Sequence, residues 1–332
     1  MTIPPQAHFC WIGADLPWAY AFAILSAAER SALATVTLHH TEALEDSAAL
    51  RSLTNAPRVQ LSWIDAPAFL TEVGDRLGLG GRLAGLYGML ASAVTKTDVL
   101  RAAILYRQGG VYLDLDTITV APLLPLLDTR QFVGAELIVW PRTVRESRSP
   151  AVWARHLSLD LLRKALRMVP HGWRLFRRIE RFYVRGLNNA VMGAEPNAPI
   201  FANYLHAMLA VPEDRRTQAY AFGPDLLAEV VAGYKQGDLT IQDPRVFYPL
   251  PPEISEHWFR LARGIKLDTV LSAETRVVHW YASVRTRSRV AQIDPDYVRK
   301  HRTCQLYSML VWSCLSRLLP ASDPHVEVHI AR

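Results

Sequence analysis

Residues 97–123, TDVLRAAILYRQGGVYLDLDTITVAPL, constrain the fold more than any other stretch of the chain. They read as a helix, a turn at Gly109 and Gly110, a short strand and an exit loop. In the strand, Val111, Leu113 and Leu115 alternate with Tyr112, Asp114 and Asp116. A period of two sets the three apolar residues on one face and Tyr112 with both aspartates on the other. Neighbouring carboxylates repel each other and resist desolvation, so a strand built this way is expected to hold a cation. Ligands made only of oxygen suit Mg²⁺ or Mn²⁺, with phosphate oxygens and water in the remaining positions.

The preceding helix places Val99, Ala103 and Tyr106 on one face and Leu100 with Ile104 on another, so it is expected to be buried nearly all round. Yet it carries Asp98 and Arg101, which three-residue spacing makes neighbours. Charges inside an apolar helix are costly unless fully hydrogen-bonded. Two readings stand: an internal ion pair that pins the helix, or part of a site.

The string DVLRAAILYRQGGVYLDLD resembles the core motif of the glycosyltransferases with a DXD sugar-binding region, glycosyltransferase family 32. That family includes yeast-type mannosyltransferases and relatives of the clostridial toxin glucosyltransferase domains. Its pattern is matched at Asp98, Arg101, Gly109, Gly110, Tyr112, Asp114 and Asp116, with Thr97 where the family has serine. The resemblance implies a GT-A type α/β fold with a mostly parallel central sheet. It implies transfer of a sugar from a UDP- or GDP-linked donor to an acceptor hydroxyl, with retention of configuration. It also implies that Asp98 and Arg101 hold hydroxyls of the donor sugar, and that Tyr112 and Asp114 lie at the donor.

Further fragments extend the likeness. IPPQAHFCWIG, residues 3–13, resembles the family's opening strand, and implies that Trp11 and Ile12 lie at the base of the nucleotide. Trp11 also suits a core position, as large aromatics usually do, and His8 reads as packed inside. NNAVMG, residues 188–193, resembles a segment in which an asparagine lies near the donor sugar, with Asn189 favoured over Asn188; an asparagine pair is equally a turn signal. Gly223 and Pro224 resemble a family helix start, where Asp225 reads chiefly as a first-turn charge. VVHWY, residues 277–281, implies His279 as third metal ligand beside Asp114 and Asp116, against the plain reading of a satisfied core histidine. Ser283 is a further candidate match, and the tryptophan that follows it in the family is absent.

Along the chain, strands at 8–12, 35–40 and 59–64 alternate with helices at 18–33 and 42–53, which argues a parallel α/β sheet. Residues 83–94 read as a helix, 132–139 as a strand and 199–210 as a helix. The 332 residues read as one domain with an insertion at 142–187 and a final helix at 295–319. The insertion carries twelve arginines and lysines against three acids, a charge of +9, while the whole chain is +6. Its helices are expected over 152–169 and 173–187. In the second, Trp173, Phe176, Ile179, Tyr183 and Leu187 fall at spacings of three and four with arginines opposite, a pattern that suits an interfacial membrane helix or an ordinary packed helix with solvated arginines.

A basic patch implies an anionic partner, and without interleaved stacking platforms nucleic acid is a weaker fit than a membrane surface. Three cysteines with no paired spacing offer neither a disulfide framework nor a zinc site, and fit a reducing compartment. No secretory signal or span-length apolar run is visible. The expected location is the cytoplasm, at the cytoplasmic face of a membrane where the insertion binds one. Acceptors consistent with this are a saccharide, a lipid-linked saccharide in glycolipid or surface polysaccharide synthesis, or a protein. Two rivals remain at this level: a metal-dependent nucleotidyltransferase, and a non-enzymatic basic protein that binds membrane or nucleic acid and carries a degenerate DXD site.

Overall fold

Parallel pairing of the first three strands follows from their alternation with helices, since a crossover must lie between parallel neighbours. The computed structural model describes residues 2–218, 220–282 and 286–319; Ser283 lies outside them. The amino-terminal half runs β1 (Gln6–Trp11), α1 (Trp18–Arg30), β2 (Thr35–His40), α2 (Ala48–Thr54), β3 (Val59–Trp63), α3 (Ala66–Arg76), α4 (Arg82–Met89), α5 (Ala93–Gln108), β4 (Gly110–Leu113), β5 (Thr117–Thr119) and β6 (Gln131–Ile138). There follow α6 (Arg142–Arg145), α7 (Pro150–Met168), α8 (Gly172–Ile179), β7 (Val184–Ala194), α9 (Pro199–Ala210), α10 (Pro224–Gly233), β8 (Leu239–Gln242), α11 (Pro244–Phe247), β9 (Val277–His279), α12 (Arg287–Val290), α13 (Pro295–His301) and α14 (Leu306–Leu315).

Seven strands form the main sheet in the order β3-β2-β1-β4-β7-β6-β8. All neighbours are parallel except those of β7, which runs antiparallel to β4 and β6. The α/β class with a mostly parallel sheet is therefore the one the sequence predicts. Both faces are covered, so β4 is buried throughout and its alternation sorts residues between two cores. Val111 and Leu113 join the core that includes Phe9, Leu38 and Trp280, and Tyr112 joins the one that includes Cys10, Leu100 and Tyr204. Gly110 has a φ of +90°, and a Cβ there would stand 2.8 Å from the Gln6 carbonyl oxygen. The turn into β4 therefore admits glycine alone at this position.

Several boundaries differ from the sequence reading. The helix expected over 83–94 is two, because the chain is extended at Leu90 and restarts where Ser92 caps α5. The helix expected from 42 begins at Ala48, capped by the Ser47 hydroxyl. The helix expected over 173–187 ends at Ile179, and residues from Val184 onward extend β7 along β6, with Gly186 opposite Glu136. Tertiary pairing here overrides a local helical period. The final helix divides into α13 and α14 at residues 302–305, where Gln305 bridges Leu261. Among the described residues no helix is long and apolar enough to cross a membrane.

Candidate active site

The two aspartates do not continue β4. The strand ends at Leu113, and Asp114 to Thr117 form a turn in which the Thr117 amide and hydroxyl both donate to the Asp114 carbonyl, at 3.2 and 2.7 Å. Their carboxylates converge because both ends of the turn are tied. The Asp114 amide donates to the Ala190 carbonyl of β7, and the Asp116 carbonyl accepts from the Trp280 amide. β5 then pairs antiparallel with β9 and sets Thr117 opposite His279. One ligand atom from each of Asp114, Asp116 and His279 lies within 4.8 Å of the others. The sequence spacing is thus translated into a three-residue cluster by a turn and a two-stranded sheet rather than by strand alternation.

His279 Nε2 lies 2.9 Å from Asp116 Oδ1, and the Ala282 amide donates to Asp116 Oδ2 at 2.7 Å. Burial works against the Asp116 charge, but His279 and these hydrogen bonds outweigh it and hold the carboxyl below its ordinary range. Burial likewise opposes a charged His279, and Asp116 outweighs it and raises the imidazole. Asp114 is pushed up to about 6 by burial, opposed by Arg101 and reinforced by Asp116.

Arg101 accounts for the other half of the site. Its two terminal nitrogens meet the two Asp114 oxygens at 3.1 and 3.0 Å, a fork-to-fork pair. The same guanidinium donates to the Asn189 carbonyl at 2.8 Å and stands 3.5 Å from Asp98. The Asn189 side-chain amide donates to Asp98 at 2.8 Å. Asp98, Arg101 and Asn189 are therefore one buried network with Asp114, so the ion pair and the site are a single arrangement. Burial raises the Asp98 pKa, with Arg101 and Asn189 opposing. For Arg101 burial is outweighed by Asp114, Tyr112 and Asp98, and its pKa stands above the ordinary value. Gly223 lies against this network: a Cβ there would stand 3.5 Å from Asp98 Oδ2 and from the Asn189 amide nitrogen.

Tyr112 is placed differently from the sequence reading. It is 1% exposed and packs against Arg101, whose guanidinium lies 4.9 Å from its ring centre. Trp11 ends β1 and Ile12 follows it, both half-buried; Trp11 packs on Tyr20 at 5.2 Å, and its indole nitrogen has no hydrogen-bond partner among the described residues. His8 is buried against His39, as expected of a packed residue. Asp225 pairs with Arg145 at 2.8 Å.

A residue absent from the sequence reading stands beside the cluster. Glu136, near the end of β6, accepts from the Asn188 amide at 2.8 Å and from the Tyr281 hydroxyl at 3.1 Å. Burial pushes it up to about 7 against the effect of Asn188, His279 and Tyr281. Asn188, the asparagine not favoured by the sequence, thus serves Glu136, while Asn189 serves Asp98.

The residues fit a divalent ion: two carboxylates and an imidazole whose Nδ1 is buried with no partner among the described residues. Residues 57–133 match the family described as glycosyltransferase sugar-binding region containing DXD motif. No curated protein matches the chain. Among solved structures the chain is similar to an active-site mutant of LgtC at 11% identity, with 96% of this chain and 98% of that one covered and a TM-score of 0.46. It is also similar to mouse xyloside xylosyltransferase 1, at 14% identity, 82% and 96% coverage and a TM-score of 0.45. A third is the PaToxG glycosyltransferase, at 14% identity, 70% and 69% coverage and a TM-score of 0.43. The stretch that matches this family, residues 57–133, includes Asp98, Arg101, Asp114 and Asp116.

Proposed function

We propose that this protein is a metal-dependent glycosyltransferase that moves a sugar from a nucleoside diphosphate sugar to an acceptor hydroxyl with retention. The observation that carries the reading is the meeting of Asp114, Asp116 and His279 with the Asp98–Arg101–Asn189 network, of which Asp98, Arg101, Asp114 and Asp116 lie in the matched region. Asp114, Asp116 and His279 would hold the ion, and the mixed nitrogen and oxygen set favours Mn²⁺ over Mg²⁺. When bound, the ion supplies positive charge against the departing diphosphate. Arg101 fixes Asp114 in place, and Asn189 fixes Asp98, whose other oxygen is left for a sugar hydroxyl.

Asp98 is bound up in this network and is not offered as a nucleophile. The preferred route is front-face: the acceptor oxygen bonds to the anomeric carbon on the side from which the diphosphate leaves, and its proton passes to the departing phosphate oxygen. Trp11 and Ile12 would flank the base. The acceptor class in this proposal is a saccharide or lipid-linked saccharide, and the location is the cytoplasm, where Cys10, Cys304 and Cys314 remain thiols.

The test is donor hydrolysis with Mn²⁺ across a panel of UDP- and GDP-sugars, beside Asp116→Ala. Metal-dependent release of nucleoside diphosphate from one donor, reduced at least about 100-fold in the variant, is the expected result. Release of inorganic diphosphate would assign a nucleotidyltransferase instead. Silence across the panel with no nucleotide binding by calorimetry would remove the enzyme reading.

A further inference from the structure

Helix α7 buries charged side chains and exposes several of its apolar ones. Of its 19 residues, those buried are His156, Asp160, Arg163 and Leu166. At 100° per residue these share an arc of about 120°. The inward face is held by polar contacts: His156 Nδ1 lies 2.7 Å from the Val139 carbonyl oxygen, and Arg163 bridges Asp160 and Glu253. The adjoining face is open and largely apolar, with Lys164, paired to Asp160, the one charge within it. Trp153, Leu157, Leu161 and Met168 fall within about 80° of one another, and Leu157 and Leu161 are 50% and 58% exposed. Leu175 of α8 is exposed as well. An ordinary surface helix has the reverse arrangement.

The charge around this ridge is of one sign. Arg148, Arg155, Arg174, Arg178 and Arg181 are exposed and have no ion pair among the described residues. The two acids of residues 150–182 are engaged elsewhere: Asp160 is buried with Arg163, and Glu180 pairs with Arg245. The face predicted from sequence to meet a membrane, with Trp173 and Phe176, is not the one presented. Both are 2% exposed and packed in the core.

We propose that the outward face of α7, with the arginines of α8, docks on an anionic lipid bilayer. Apolar side chains ringed by unpaired arginines match both parts of such a surface, the acyl boundary and the phosphate headgroups. A second copy of the chain fits poorly, because a twofold contact here would bring two sets of five arginines together. Nucleic acid offers nothing to cover the leucines.

The experiment is co-sedimentation of the full chain with vesicles of phosphatidylglycerol and phosphatidylcholine in roughly equal parts, beside vesicles of phosphatidylcholine alone. The protein is expected to pellet with the anionic vesicles and to be released by salt. The double variant Leu157→Gln/Leu161→Gln should weaken partitioning roughly a hundredfold. Arg178→Gln and Arg181→Gln should each weaken it roughly fivefold. Circular dichroism and melting temperature confirm that each variant folds. A protein that stays in the supernatant, or binding that both sets of variants leave intact, would overturn the proposal. So would a dimer in light scattering that Leu157→Gln/Leu161→Gln dissolves, which would assign the face to a second copy. None of these outcomes depends on whether the chain transfers sugar.

Discussion

Arg101 is the residue on which the candidate site turns. A guanidinium can meet both Asp114 oxygens while also reaching the Asn189 carbonyl and Asp98. An ammonium meets one oxygen at a time and has no planar fork. Arg101→Lys is therefore expected to keep the charge and lose the geometry. Mn²⁺ affinity should fall roughly 10- to 100-fold, as for other groups that orient metal ligands. Titration calorimetry reads this directly, and an unchanged affinity would mean that Asp114 holds its position without Arg101. At this scale the sequence was informative where one stretch carried the chemistry: Asp98, Arg101, Asp114 and Asp116 lie within 19 residues. Glu136 was not legible. Its partners Asn188 and Tyr281 are 52 and 145 residues away, and no local pattern distinguishes it from any other strand acid.

Among the elements, α7 shows what periodicity can and cannot decide. A helix was legible near its observed bounds, but the side it turns inward was not. The usual rule places leucines inside; Leu159 and Leu166 follow it, but His156 and Arg163 also turn inward, to the Val139 carbonyl and Glu253, and leave Leu157 and Leu161 outside. The helix is thus anchored by buried charge, which is costly to break at one end. Asp160→Ala leaves Arg163 with Glu253 alone and removes the carboxylate that Lys164 pairs with, and it should cost about 3 kcal/mol in urea unfolding. A midpoint unmoved by the substitution would show that apolar contacts such as Leu166 carry the helix. The same limit explains β7. Residues 184–187 continue a helical spacing in sequence, and the competing partner, β6, lies some fifty residues earlier. The opening parallel strands were legible because each is adjacent in sequence to the helix that covers it.

Across the whole molecule, buried groups of opposite character set how stability responds to pH. His8 and His39 sit on adjacent strands with Nδ1 and Nε2 3.0 Å apart. Burial lowers His8 to about 4 and His39 to about 3. Each is neutral in the folded chain, and the unfolded chain binds more protons as pH falls below 6.5. Their contribution is therefore present above pH 6.5 and lost as pH falls through about 4. Glu136 acts in the other direction. Its folded pKa of about 7 lies above the ordinary value, so the folded state binds the extra proton. Stability from this group is fully present below pH 4.5 and is lost as pH rises through 7, a change of about 3 kcal/mol. Glutamine at this position keeps an oxygen that can accept from both Asn188 and Tyr281, and it does not ionise. Relative to the native chain, Glu136→Gln should therefore gain about 2 to 3 kcal/mol of stability between pH 5 and pH 8. Urea unfolding of both proteins at the two pH values measures that difference. If the two curves stay parallel, Glu136 titrates in the ordinary carboxylate range and its hydrogen bonds, rather than its burial, govern its charge.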